Sequence, residues 1–138
     1  MARGNAEIVR PIYEYWGRGD WRPVFEIYHP EMEWGWSDEF PDLGGVYRDP
    51  ANPNPRLRRW LSDWEHWRAE PDDFLEIGDH VVVLTRYLGR GRGSGIEIEQ
   101  EGAHVFGLRD GKVIRLEIFA SRARALEYVR AADAASET

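Results

Sequence analysis

The sequence predicts an α+β domain: a cone-shaped, strongly curved antiparallel sheet wrapped around three N-terminal helices, with a short C-terminal helix. Three observations carry that expectation. Apolar residues recur at helical spacing through the first half of the chain, and from Pro71 onward they alternate or run as strands. Tight-turn signals separate those strands, so consecutive ones pair antiparallel. Aromatic residues make up 13% of the 138 positions, more than the core of one domain this size needs. The domain spans residues 1–138, with an ordered core over about residues 5–130.

Ile8, Ile12 and Trp16 stand four apart, with Tyr13 and Tyr15 alongside, which marks an amphipathic first helix. Asn5 is available as its N-cap, and Pro11 bends its first turns. Gly17 to Asp20 breaks it, and Asp20 caps a second, short helix carrying Trp21, Val24, Ile27 and Tyr28, which stops at His29 and Pro30. Glu31 to Ser37 alternates polar with bulky residues as a strand, so Met32, Trp34 and Trp36 share a face. Asp38 to Asn54 is a long connection broken by Pro41, Gly44, Gly45, Pro50 and Pro53; with Phe40 and Tyr47 it has the make-up of a mobile cover. Leu57, Trp60, Leu61, Trp64 and Trp67 follow at helical spacing as the third helix, with Asn54 and Pro55 at its start.

Phe74, Leu75 and Ile77 form a short strand ended by Gly78 and Asp79. His80 to Leu88 is apolar on both faces from Val81 to Leu84, which predicts cover on both sides. Gly89 to Gly95 connects it to a long strand, Ile96 to Leu108, with a bulge expected at Gly102. Asp110 and Gly111 make a tight turn into the last strand, Val113 to Ala120. Ser121 caps a final helix whose inner positions are Ala125, Leu126 and Val129, and the chain frays after Ala131. A curled sheet closed at one end by helices leaves a conical, aromatic-lined pocket.

Composition narrows the partners. A net charge of −7 lacks the basic footprint that nucleic acid requires. The absence of Cys removes disulfides, a thiolate nucleophile and Cys-bound metal. The four His show no metal-ligand spacing, so neither a metal nor another cofactor is expected. No apolar run approaches the ~20 residues of a membrane span, and no apolar signal core follows Met1, which points to a cytoplasmic protein. The glycines from Gly89 to Gly95 precede a strand rather than a helix, so they do not form a phosphate loop. Glu97, Glu99 and Glu101 read as a solvated face.

Two polar side chains stand out. His104 lies mid-strand beside Val105 and Phe106, where its ring faces either a pocket or a sheet neighbour. Arg86 shares a face with Leu84 and Leu88, and a guanidinium there needs a bound ligand or a carboxylate from Glu117, Asp38 or Asp42. The face of Val81, Val83, Thr85 and Tyr87 has no helix left to cover it, which suggests a homodimer through the outer sheet face. On the last strand Arg115, Glu117 and Phe119 share a face that reads as solvent or subunit interface.

Tyr47 with Arg48, the tryptophan-bearing third helix, the Gly89–Gly95 run, the stretch Ala103–Arg115 and the junction Phe119–Leu126 resemble SnoaL-like proteins of the nuclear transport factor 2-like superfamily. The resemblance covers about residues 5–130 and implies the cone fold. Pattern and resemblance together put His104 and Arg86 in a pocket with Ile12, Trp16, Trp34, Trp36, Phe40, Trp60, Trp64, Val82, Leu84, Leu88, Leu116 and Ile118. That superfamily holds polyketide cyclases, ketosteroid isomerases, epoxide hydrolases, dehydratases and non-enzymatic binders. Against the isomerase pattern, His104 stands where a carboxylic acid donates to the oxyanion. Trp36 stands on the base carboxylate, and Ile12 lies near the helix-borne tyrosine. Against the epoxide hydrolase pattern Arg86 matches the arginine, while Leu88 and Ile118 replace two aspartates.

Two functions follow from this. One is a cofactor-independent acid/base enzyme of isomerase, cyclase, dehydratase or hydrolase type, acting on an apolar oxygen-bearing ring compound. In it His104 is the acid/base, Arg86 holds or polarises an oxygen, and Tyr13 or Tyr15 donates a hydrogen bond. The other is a non-catalytic binder or carrier of a small apolar molecule.

Overall fold

A computed structural model describes residues 4–20, 22–40, 43–48 and 56–136, apart from the side chains of Arg58 and Ser136. Asp110 and Gly111 have φ of 55° and 76°, the left-handed pair that a two-residue hairpin turn requires. They join β5 (Glu97–Arg109) to β6 (Lys112–Phe119). Gly78, at φ 58°, turns β3 (Trp64–Ile77) into β4 (His80–Gly91), and β4 pairs antiparallel with β5. Upstream lie α1 (Asn5–Gly17), α2 (Arg22–Phe25), β1 (Tyr28–Trp36), β2 (Gly45–Tyr47) and α3 (Leu57–Ser62); α4 (Arg122–Ser136) closes the chain. The six strands form one open sheet in the order β2-β1-β6-β5-β4-β3. Four of its pairings are antiparallel, as expected. The β1–β6 pairing is parallel, because β1 is delivered by the N-terminal helices and not by a hairpin.

Each side of the sheet has its own cover. On the inner face α1 buries Val9, Ile12 and Tyr13 against Met32, Trp34, Val81, Val83, Phe106, Leu108, Leu116 and Ile118. On the outer face α4 packs Ala125 and Val129 on Val82, Ala103, Val105 and Phe119. Val81, Val82 and Val83 are therefore all fully buried, which accounts for the unbroken apolar run in β4. The row Val81, Val83, Thr85 and Tyr87 is consequently no interface. It is buried on the inner face, because α1 covers the side that the sequence left without a helix.

Several element boundaries differ from expectation. The third helix stops at Ser62, and Trp64 and Trp67 belong to β3. A register shift between Trp64 and His66 sets Trp64 opposite Gly91 and Trp67 opposite Gly89. Both tryptophans thereby face inward, and a bulged strand imitates helical i, i+3 spacing. Gly102 is not a bulge, since the β4–β5 register runs unbroken from His80–Gly107 to Arg90–Glu97. A Cβ there would instead overlap the Tyr87 ring. His29 and Pro30 lie within β1.

Gly4, and not Asn5, takes the N-cap position of α1 without a side-chain bond; the Ala6 N–H donates to Glu76 Oε1 at 2.9 Å. The tail stays helical to Ser136. The connection after Asp38 contains β2, while Trp21, Pro41, Pro50, Pro53, Asn54 and Pro55 lie outside the described residues. Among the described residues no helix is long and apolar enough to cross a membrane.

Candidate functional site

His104 lies opposite Val83 of β4 and Ile118 of β6, which turns its ring to the inner face. It is only 4% exposed, and α1 presents Tyr13 to it: the phenolic oxygen and Nδ1 are 2.7 Å apart. Either the phenol donates to Nδ1, leaving the proton on Nε2, or Nδ1–H donates to the phenol; both arrangements are neutral. Four rings surround the imidazole. Tyr13 lies nearly parallel to it at 5.8 Å, Trp16 edge-on at 5.9 Å, Tyr87 tilted at 5.8 Å and Phe106 edge-on at 6.3 Å. Burial in this shell lowers the His104 pKa to about 3 and raises that of Tyr13 well above the usual phenol value.

The shell continues toward α3. Tyr87 donates its hydroxyl to the Phe119 carbonyl at 2.9 Å and stacks on Trp67 at 5.7 Å. Trp67 in turn meets Trp60 at 4.7 Å and Trp64 at 4.9 Å. Gly89 makes room for them, since a Cβ there would lie 2.6 Å from Trp67 Cε3 and 3.0 Å from Trp64 Cε3. A continuous row of rings thus runs from the half-buried Trp60 and Trp64 to the buried Tyr13–His104 pair.

Most of the expected lining is on the inner side. Ile12, Trp34, Leu116 and Ile118 share the core cluster there, with Trp16, Trp36 and Phe40 packed against it; Phe40 meets Trp36 edge-on at 6.1 Å. Arg86, Leu84, Leu88 and Val82 are not. They alternate with Val83 and Thr85 along an unbroken strand, so they point to the outer face, away from His104. Arg86 pairs there with Asp72 at 3.4 Å and Glu99 at 3.3 Å, rather than with Glu117 or Asp38; Asp42 lies outside the described residues. Glu117 instead pairs with Arg115, and Phe119 is buried beneath α4. An apolar strand covered on both sides gives no sequence cue to which side α1 takes, so the sequence does not say on which face Arg86 lies.

Tyr87, Trp67, Phe106 and Phe74 are inner-face rings absent from the expected lining. The first of these was findable, because Tyr87 shares the strand parity of Val83, the residue opposite His104. Two hollows flank α1. One of about 570 Å³ is lined by Ile8, Pro11, Tyr15, Pro23, Glu26, Ile27 and Gly111. The other, of about 430 Å³, is lined by Arg10, Tyr13, Glu14, Pro71, Asp72, Asp73 and Phe74, and through Tyr13 it adjoins the His104 pair. Among the described residues no three His, Cys, Asp or Glu cluster as metal ligands.

The profile of the SnoaL-like domain family matches residues 9–116, and the chain belongs to that family. No curated protein matches it. Among solved structures, an NTF2-like protein from Burkholderia thailandensis E264 is similar at 27% identity and TM-score 0.75, over 91% of this chain and 97% of that one. TerC co-crystallised with polyporic acid is similar in fold at 24% identity and TM-score 0.74, over 91% and 98% of the two chains. A protein of ketosteroid isomerase-like fold from Catenulispora acidiphila DSM 44928, in complex with trimethylamine, matches at 15% identity and TM-score 0.67, over 84% and 86%.

Proposed function

We propose that this domain binds a small, largely aromatic molecule carrying an acceptor oxygen, with the Tyr13–His104 pair as its polar anchor and the inner-face rings as its walls. One observation carries this reading: a hydrogen-bonded, uncharged imidazole is buried among four aromatic rings on the inner face. When Tyr13 donates to Nδ1, Nε2 keeps its proton as a donor to a ligand oxygen, and the apolar surroundings strengthen such a bond. That a fold neighbour was crystallised with polyporic acid is in keeping with a small organic ligand.

Binding is favoured over acid/base catalysis by the state of the imidazole. A buried imidazole whose pKa lies at about 3 is neutral near pH 7, so it offers its N–H as a hydrogen-bond donor and accepts a further proton poorly, whereas a general acid or base works best near the operating pH. Quenching of tryptophan fluorescence by a panel of aromatic ketones, hydroxyquinones and steroids tests the proposal. His104→Ala should weaken binding about tenfold, the effect of one lost polar contact. Arg86→Ala, on the outer face, should leave it unchanged. Equal loss from both variants, or no binding of any compound, would refute the assignment.

A further inference from the structure

Trp34 lies on β1 opposite Tyr47 of β2 and Leu116 of β6, within the same apolar cluster as Tyr13, Phe106 and Ile118. It is 5% exposed, and its indole Nε1–H is buried without a hydrogen-bond acceptor among the described residues. Buried side-chain donors are almost always paired, so a Trp held at a position that an apolar ring could fill implies a partner supplied from elsewhere. The Tyr28 ring meets it edge-on at 5.6 Å and 87°, which offers at most a weak N–H···π contact.

Register fixes where this donor stands relative to the pair already described. His104 is opposite Ile118 and Trp34 is opposite Leu116, which places Trp34 two strands across and two residues along from His104. With strands ~4.8 Å apart and a rise of ~3.4 Å per residue, their Cα atoms are about 12 Å apart. Leu116, Ile118 and Phe106 fill the face between them. An apolar span with a donor at each end suits a flat ring system bearing an acceptor oxygen at each end, such as a quinone.

We propose that Trp34 Nε1–H is a second ligand donor and that the ligand is a two-acceptor aromatic, held at one end by His104 and at the other by Trp34. The proposal rests on the binding role above and names the ligand class for that site. Isothermal titration of wild type and Trp34→Phe with 1,4-naphthoquinone and 1-tetralone tests it. Wild type should prefer the dione by about tenfold, and Trp34→Phe should reduce the preference to about twofold, the range a single neutral hydrogen bond spans. Equal affinities for the two probes in both proteins would overturn the Trp34 donor and leave the binding role standing. Failure of wild type to bind either probe would overturn both.

The indole resonance of Trp34 in ¹⁵N-labelled wild-type protein, assigned through its contacts with Tyr28, gives a reading that does not depend on the variant folding. A downfield shift with the dione and none with the tetralone supports the donor. A resonance shifted upfield by the Tyr28 ring and unmoved by either probe overturns it.

Discussion

Burial keeps the His104 imidazole uncharged, and acid should expose what that costs. The unfolded chain takes up a proton near pH 6.5, while the folded one does not until about pH 3. Between those values the unfolded state binds more protons, so stability is full above about pH 6.5 and falls as the pH drops, by at most ~1.4 kcal/mol per unit for one group. His104→Phe cannot titrate. Its urea midpoint should therefore decline less than that of wild type between pH 7 and pH 4, and parallel declines would show that the imidazole is solvated in the fold. His104 was legible in the sequence because a polar ring interrupts an apolar strand. The sequence offered Tyr13 or Tyr15 as a hydrogen-bond donor beside it, and the fold brings Tyr13 into contact with Nδ1. Arg86 was equally conspicuous and yet lies on the other face, since an interruption signals that a residue is unusual without saying which side it takes.

The elements that shape the site owe more to missing side chains than to present ones. Gly89 lets Trp64 and Trp67 lie against β4, and Gly102 does the same for Tyr87. Gly89→Ala should push the tryptophans off the strand. The expected results are a loss of about 1–3 kcal/mol in urea unfolding, as overpacking costs, and a red shift of tryptophan emission. Unchanged emission would mean that the three rings do not pack as a unit.

The same cluster explains why the sequence predicts a longer third helix than the fold contains. Helical spacing of Trp60, Trp64 and Trp67 is shared between a short helix and a bulged strand, and a bulge made by hydrogen-bond register leaves no residue signature in Glu65 or His66. The Asp110–Gly111 turn and the two-sided run of β4 were read correctly, because turn chemistry and double burial each restrict residue type. At the start of α4, Arg122 bonds the carbonyls of Gly102 and Thr85 and pairs with Asp72 and Glu101, holding the helix across three strands. No spacing in the sequence announces that clamp.

For the molecule as a whole, the fold class was legible and the association surface was not. The apolar row of Val81, Val83, Thr85 and Tyr87, which the sequence offers as a subunit contact, is interior. Beyond α4 the outer face carries Arg86 and Arg90 paired with Asp72, Glu99, Glu65 and Glu97. A homodimer through this charged face, in place of the apolar row that the sequence suggested, would be an electrostatic contact. Sedimentation should then show dissociation as salt rises from about 0.05 to 0.5 M, over which the Debye length shortens about threefold. A dimer indifferent to salt would place the contact elsewhere.

The parallel pairing of β1 with β6 carries a consequence for how the chain assembles during translation. Residues 28–36 leave the ribosome well before the strand they must lie beside, which spans 112–119. Until then Trp34 and Trp36 have no permanent neighbour on that edge, and closing so long a loop slows folding. A chain cut short before Lys112 would therefore lose its first strand along with its last, and the inner face would remain without one wall.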